Sequence, residues 1–144
     1  MGKINSKFPN LVILEYYSIE NYLFHPDNLI EIFPEFDKVN YVAEITKEKN
    51  RLKNDIKSKM RNDRNSYIFF QKNYLNQTST SFDNLFKTLD SDEFENFYKI
   101  FKMKGKANLC NIPNIGKFEN SLVKTKWFKE QVSSLFEKSG IEIN

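Results

Sequence analysis

The feature that most constrains this chain is its longest purely aliphatic run, Leu-Val-Ile-Leu at positions 11–14, which Glu15 closes. A run of this kind is typical of a β-strand that is buried on both faces, as in a parallel sheet. The other segments that could form strands, at 41–43 and 67–70, are equally compatible with helix. A single apolar strand at the start of a helical chain suggests the last strand of a sheet whose earlier strands are missing.

Such a strand needs cover, because an unpaired apolar edge is an aggregation hazard. The cover can come from helices, from a small local β pairing or from another copy of the chain. Self-association through the N-terminal segment, giving a homo-oligomer, is therefore one of three arrangements that the sequence allows.

Amphipathic helical patterns occupy the rest of the chain. Pro26 suits the first residue of a short helix, and apolar residues at helical spacing mark a long charged helix of about 42–64. Start signals and apolar faces predict further helices from Phe82, Phe94 and Thr125. The predicted fold class is mainly α, a helical domain with one short N-terminal β-strand.

The sequence shows no internal repeat and no clear second domain, so we expect a single domain over residues 1–144. Within it, residues 1–24 hold the strand and the segment that follows it. Residues 25–144 form the helical region.

Composition excludes several classes of protein. One Cys and one His cannot make a disulfide framework or a zinc site. No apolar stretch approaches the roughly 20 residues that cross a bilayer, so we expect no membrane contact and a cytoplasmic location. The net charge of +3 is too small to indicate nucleic acid by itself. Eighteen Asn beside nineteen Lys are typical of an A/T-rich genome, which favours a bacterial or phage source.

The segment after the apolar run reads Tyr-Tyr-Ser-Ile-Glu-Asn-Tyr-Leu-Phe at 16–24 and His-Pro-Asp-Asn-Leu at 25–29. It resembles a bacterial family of Toprim-like proteins. Members are often encoded with, or fused to, AAA/ABC-type ATPases, in the manner of overcoming-lysogenisation-defect nucleases, and several belong to anti-phage defence. Residues 101–106 and 125–128 are similar to a turn and a late helix of that family's helical C-terminal region.

The resemblance implies a Toprim half, with a Glu and an Asp-x-Asp pair, ahead of this segment, and that half is absent here. It therefore implies the C-terminal part of a nuclease, which is not expected to be active alone. The partners that it implies are an AAA/ABC-type ATPase or the missing Toprim half. A divalent Mg or Mn ion would be the cofactor only if that half were supplied.

Glu20 is the one candidate catalytic or metal-binding residue. It lies six residues past the predicted strand, and α/β folds place ligands just outside the carboxyl ends of parallel strands. The family resemblance would make it a metal-linked or site-orienting acid. The structural alternative is a Glu that holds a helix N-terminus or pairs with a Lys.

Other polar residues in the chain have structural interpretations. Asp90-Ser91-Asp92 spells Asp-x-Asp, but it lies between two helical segments and favours a helix cap. His25, the only imidazole, is interpreted as the residue that precedes a helix, and Asn21 is a candidate polar anchor. Cys110 is interpreted as a small core residue.

A basic helix is predicted over residues 47–64, which hold eight basic residues against three acids. Four of the basic residues recur at spacings of 4, 4 and 3 and share one face. We call these four the basic stripe: Lys53, Lys57, Arg61 and Arg64. A stripe of this kind can follow nucleic-acid phosphates, although a solvated face with local ion pairs is the plainer interpretation.

Three functions are compatible with these patterns. The first is a non-catalytic or incomplete C-terminal region of a Toprim-like, ATPase-associated nuclease, contributing partner, DNA or metal-site contacts. The second is an independent protein-interaction module of phage or mobile-element origin. The third is a small helical nucleic-acid-binding domain that uses the basic stripe.

Overall fold

The computed structural model describes residues 16–63, 70 and 81–138. These residues are mainly helical, which confirms the predicted class, and no strand occurs among them. The predicted strand at 11–14 lies outside the described residues, as does Arg64 of the basic stripe. The segment at 41–43, which could have been strand or helix, is helical.

The described residues form two compact units. Unit 1 contains residues up to 41 and from 102 onward, and unit 2 contains residues 42–101. The α-helices in chain order are α1 (Ile19–Leu23), α2 (Pro26–Ile32), α3 (Lys38–Asn62), α4 (Phe82–Asp90), α5 (Phe94–Phe97), α6 (Glu119–Leu122) and α7 (Lys126–Lys138). Short 3₁₀ helices are Tyr98–Ile100, Ala107–Cys110 and Ile115–Phe118.

Local capping chemistry sets where several helices begin. Pro26 occupies the first position of α2, where its missing N–H costs nothing. The Asp37 carboxylate accepts the N–H of Asn40 in the first turn of α3 at 2.9 Å. As a result α3 begins at Lys38, earlier than the apolar pattern predicts. The Ser81 hydroxyl caps α4 by accepting the N–H of Asn84 at 3.2 Å.

Unit 1 has a core of buried aromatic and aliphatic side chains. The fully buried ones are Tyr22, Leu29, Tyr41, Met103 and Leu122. The Tyr41 hydroxyl donates to the backbone oxygen of Phe24 at 2.7 Å, so a buried polar atom is satisfied inside this core. Burial raises the pKa of Tyr41 far above its usual range, so the phenol stays neutral.

Unit 2 has its own buried apolar side chains. The fully buried ones are Ile45, Met60, Leu89, Phe97, Tyr98 and Phe101. Phe97 and Phe101 meet edge to face, with ring centroids 6.4 Å apart. A lysine, Lys49, is also fully buried in this unit.

Among the residues that the structure describes, no helix is both long enough and apolar enough to cross a membrane.

Candidate functional site

Glu20 lies in the first turn of α1 and is half-buried. Among the described residues its carboxylate forms neither a hydrogen bond nor an ion pair, and it belongs to no group of three side chains that could hold a metal ion. Ser18 is the N-cap residue of α1 and makes no side-chain cap. No side-chain contact in the described chain makes Glu20 a cap or the partner of a Lys, but an acid in the first turn suits the positive end of the helix dipole.

Its neighbour Asn21 is fully buried in unit 1. The Asn21 side-chain oxygen accepts the Ser18 hydroxyl at 3.0 Å and the backbone N–H of Met103 at 3.3 Å. A residue near the start of α1 is thereby tied to a segment 82 positions later in the chain. The interpretation of Asn21 as a polar anchor agrees with these contacts.

Asn28 is the second buried amide of the same segment. Its Nδ2 donates to the backbone oxygens of Leu23 at 2.9 Å and Leu122 at 3.1 Å, so both of its amide hydrogens are used. Its Oδ1 accepts the hydroxyl of Thr125. The Thr125 oxygen in turn accepts the N–H of Phe128 at 3.0 Å, in the first turn of α7. We call Asn21, Asn28, Thr125 and their hydrogen bonds the amide network.

His25 caps α2, as the sequence predicts. Its Nδ1 accepts the N–H of Asp27 at 3.0 Å. The ring is only 2% exposed and stacks on Trp127 with centroids 4.5 Å apart and on Tyr16 with centroids 5.7 Å apart. A ring held between two aromatic side chains and committed to a helix cap has a structural role in unit 1.

The start of α7 receives a second contact from α2. Both oxygens of the Glu31 carboxylate accept backbone N–H groups, from Lys126 at 3.0 Å and from Trp127 at 2.7 Å. These amides are left without intrahelical partners at any helix start, and a carboxylate also suits the positive end of the helix dipole. The contact therefore joins α2 to α7 through charge as well as hydrogen bonds.

The basic stripe on α3 faces acidic residues of its own unit. Lys57 Nζ lies 2.5 Å from an Asp90 oxygen, and Lys53 Nζ lies 3.8 Å from the same atom. Arg61 lies 3.7 Å from an Asp83 oxygen. Lys57 and Arg61 also lie over the Phe86 ring, at 5.7 Å and 4.7 Å from its centre. The three described members of the stripe are thus paired within unit 2, and their proposed contact with nucleic acid stays a prediction.

Lys49 continues this series one turn earlier and was missed by the sequence analysis. Its Nζ donates to the backbone oxygens of Leu89 at 2.8 Å and Ser91 at 2.9 Å. It also contacts the Asp92 carboxylate at 2.9 Å and lies 4.6 Å from the centre of the Phe97 ring. The carbonyls at the end of α4 are the negative end of its dipole, so the buried ammonium is matched by charge and by hydrogen bonds.

The Asp90-Ser91-Asp92 motif supplies the carboxylates that pair with Lys49, Lys53 and Lys57. The hydrogen bond from Lys57 is the main cause that lowers the pKa of Asp90, and the hydrogen bond from Lys49 is the main cause that lowers the pKa of Asp92. Ser91 is the C-cap residue of α4, but the motif gives α5 no side-chain cap, because Glu93 is the N-cap residue of α5 and makes no capping hydrogen bond. Both carboxylates are ion-pair partners of α3 lysines.

Cys110 is buried in unit 1, in agreement with its interpretation as a small core residue. Burial raises the pKa of its thiol, which favours the unreactive protonated form.

Comparison with known proteins adds no relative: no protein-family model, no curated protein and no solved structure matches the chain. The assignment of a function therefore rests on the contacts described above and on the residues that carry the resemblance.

Proposed function

We propose that this chain is a non-catalytic, helical C-terminal portion of a Toprim-like, ATPase-associated nuclease. In this proposal the segment at 16–29 organises the helices that follow it and presents Glu20 toward a Toprim half. The chain supplies structure and partner contacts, and the acidic residues of that half supply most of the metal site.

The observation that supports the proposal is the use of the resembling segment in unit 1. Its buried polar side chains, Asn21, His25 and Asn28, are all directed at residues 103–127. The two later segments that resemble the same family, 101–106 and 125–128, contain or adjoin these contact points. Three short stretches that are far apart in sequence thus belong to one set of contacts, as is expected if they were kept together as one region of a larger protein.

Glu20 is a carboxylate of this segment that the amide network does not use. A divalent cation such as Mg²⁺ takes about six oxygen ligands, usually with more than one carboxylate. Glu20 alone does not make such a site, so this residue fits an ion only in part. Glu20 would donate one carboxylate, and the Glu and Asp-x-Asp residues of a Toprim half would complete the set.

The proposal is tested by reconstitution. The chain is produced alone and together with the product of the neighbouring reading frame that encodes strands bearing a Glu and an Asp-x-Asp pair. Cleavage of plasmid DNA is measured with Mg²⁺ and with Mn²⁺. We expect no cleavage by the chain alone, a stable complex on size exclusion, and metal-dependent cleavage by that complex.

The matched variants are Glu20→Gln and Glu35→Gln, which make the same change at a half-buried and an exposed glutamate of unit 1. We expect Glu20→Gln to lower cleavage by the complex by a factor of about 100, within the range for loss of one charged group at a reaction centre, and Glu35→Gln to leave it unchanged. Metal-dependent cleavage by the pure chain would overturn the proposal, as would a complex in which both variants cleave like the wild type.

A further inference from the structure

A second local excess of positive charge lies in unit 1 and was not singled out from the sequence. Between residues 102 and 129 the only acid is Glu119. The same stretch contains seven lysines: Lys102, Lys104, Lys106, Lys117, Lys124, Lys126 and Lys129. The ratio of basic to acidic residues in this stretch is higher than in the basic helix at 47–64, which has eight basic residues and three acids.

Three of these lysines surround one surface depression. The depression has a volume of about 570 Å³ and is lined by Lys124, Lys126, Lys129, Ser133, Ser134 and two glutamates. Lys126, Lys129 and Ser133 follow one another at spacings of three and four residues on α7, so they share a face of that helix. We call Lys124, Lys126 and Lys129 the lysine patch.

The patch differs from the basic stripe in how its charge is used. All three lysines are exposed. Lys126 reaches Glu130 only at 4.0 Å, at a pair of side chains that are 86% and 61% exposed, and such a pair is weak. In the part of the chain that the structure describes, Lys124 and Lys129 form no ion pair. Glu130 and Glu137 also line the depression, and the charge of the two lysines without an ion pair is available to an external anion.

The chemistry of the patch selects among polyanions. Lysine ammoniums act as point charges toward phosphates, and the Ser133 and Ser134 hydroxyls can donate hydrogen bonds to phosphate oxygens. Single-stranded nucleic acid is held mainly by aromatic stacking, but Trp127 is already stacked on His25. Membrane binding needs an apolar face beside the charges, and among the described residues the one large apolar side chain exposed next to the patch is Val123.

We propose that the lysine patch binds the phosphate backbone of duplex nucleic acid without reading its sequence. The contact covers about three phosphates, one for each lysine. This inference uses residues that play no part in the proposed link to a Toprim half, so either one can fail while the other stands.

The test is fluorescence anisotropy of a labelled DNA duplex with the full chain at several salt concentrations. We expect the slope of log affinity against log salt to be about −2.7 for the wild type, since each phosphate contact on duplex DNA contributes about −0.9. Replacing the patch with glutamine, as K124Q/K126Q/K129Q, should weaken binding more than about tenfold near physiological salt and flatten the slope toward zero.

The charge-matched control is K102Q/K104Q/K117Q, which removes three exposed lysines of the same unit from outside the patch. We expect its affinity for the duplex to lie within about twofold of the wild-type affinity, apart from the general decrease that the loss of three positive charges causes. Circular dichroism establishes that both triple variants are folded. A second variant, Lys129→Glu alone, is available if the patch triple does not fold, and it should also weaken binding.

Four results would overturn the proposal. They are an absence of duplex binding by the wild type near physiological salt, equal losses in the two triple variants, binding to anionic phosphatidylserine vesicles with none to the duplex, and equal competition by polyglutamate at the same charge concentration. The second result would mean a diffuse electrostatic attraction. The third and fourth would mean a lipid surface or an acidic protein as the partner.

Discussion

The two units satisfy their buried polar groups with different chemistry. Unit 1 uses neutral groups, because Asn28 bonds to two carbonyls and to the Thr125 hydroxyl. Unit 2 uses a full charge, because the buried ammonium of Lys49 bonds to two carbonyls and to Asp92. Neutral hydrogen bonds do not depend on a protonation state, whereas the ionic contacts of unit 2 require ionised carboxylates. The amide network of unit 1 and the buried lysine of unit 2 should therefore respond differently to substitution, pH and salt.

The largest effect is expected when a charge is placed in the neutral network. Asn28→Asp keeps the shape of the side chain, but it removes both donors and sets a carboxylate against the carbonyls of Leu23 and Leu122. We expect the free energy of unfolding of unit 1 to fall by about 4 kcal/mol at neutral pH, as for an uncompensated buried charge. The loss should shrink as the pH falls, because burial favours the protonated acid.

Urea unfolding followed by the fluorescence of Trp127, the single tryptophan, measures this effect in unit 1. The control Asn40→Asp makes the same change at an exposed position in the first turn of α3, and it should alter stability by less than about 0.5 kcal/mol. If the two variants lose the same free energy of unfolding, the buried amide of Asn28 is no more important for stability than an exposed amide, and the account of the network is refuted.

A somewhat smaller effect is expected when the charge of unit 2 is removed. Lys49→Met keeps most of the apolar stem but leaves the carbonyls of Leu89 and Ser91 without the ammonium donor. We expect a loss of about 2.5 kcal/mol, since each unsatisfied buried acceptor costs about 1–3 kcal/mol. Asp92 adds little to this loss because its side chain is 63% exposed and stays hydrated.

Hydrogen exchange of the amides in 82–101, read by mass spectrometry, locates this loss in unit 2. The matched control is Lys53→Met, which removes a half-exposed lysine whose ion pair with Asp90 is 3.8 Å long. Such a pair contributes at most about 1 kcal/mol. If Lys53→Met increases exchange as much as Lys49→Met does, the special role of the buried lysine is refuted.

Local chemistry was the predictable part of this structure. Pro26 at a helix start and His25 before it depend on neighbours within a few residues, so the sequence reveals them. The helical class follows from the same local patterns. By contrast, α3 begins before its apolar stripe because Asp37 caps it, and a single acid in a polar stretch is a weak signal.

The amide network and the buried lysine could not be predicted in this way. Asn28 meets Leu122 across 94 positions of sequence, and nothing near Asn28 indicates that its amide is buried. In the sequence Lys49 cannot be distinguished from the exposed lysines of the same helix. Its burial depends on a tertiary contact with the end of α4. The spacing of Lys49, Lys53, Lys57 and Arg61 did carry a signal, but of pairing with the acids in 83–92 as much as of phosphate binding.

A smaller effect of pH should separate the units further. Ion pairs with lysines lower the pKa values of Asp90 and Asp92 from their ordinary value of 3.8. A lowered folded-state pKa means that these carboxylates stabilise unit 2 above pH 3.8 and that this contribution is lost as the pH falls through the folded-state values. The amide network of unit 1 has no such dependence.

The measurement is hydrogen exchange in the two units at neutral pH and near pH 3. We expect the protection of residues 82–101 to fall more than that of residues 103–128, and the variant D90N/D92N to lose most of the difference. If the double variant shows the same acid sensitivity as the wild type, other carboxylates control the pH response of unit 2.

The central claim is that the segment resembling a nuclease family holds unit 1 together through buried amides. A double-mutant cycle between Asn28 and Thr125 tests it most directly, with Asn28→Ala, Thr125→Ala and the double variant unfolded in urea and followed by Trp127 fluorescence. The account predicts a coupling free energy of about 1 kcal/mol or more, as for residues that share a buried hydrogen bond. Losses that add to within about 0.3 kcal/mol would contradict it, because independent sites behave in that way.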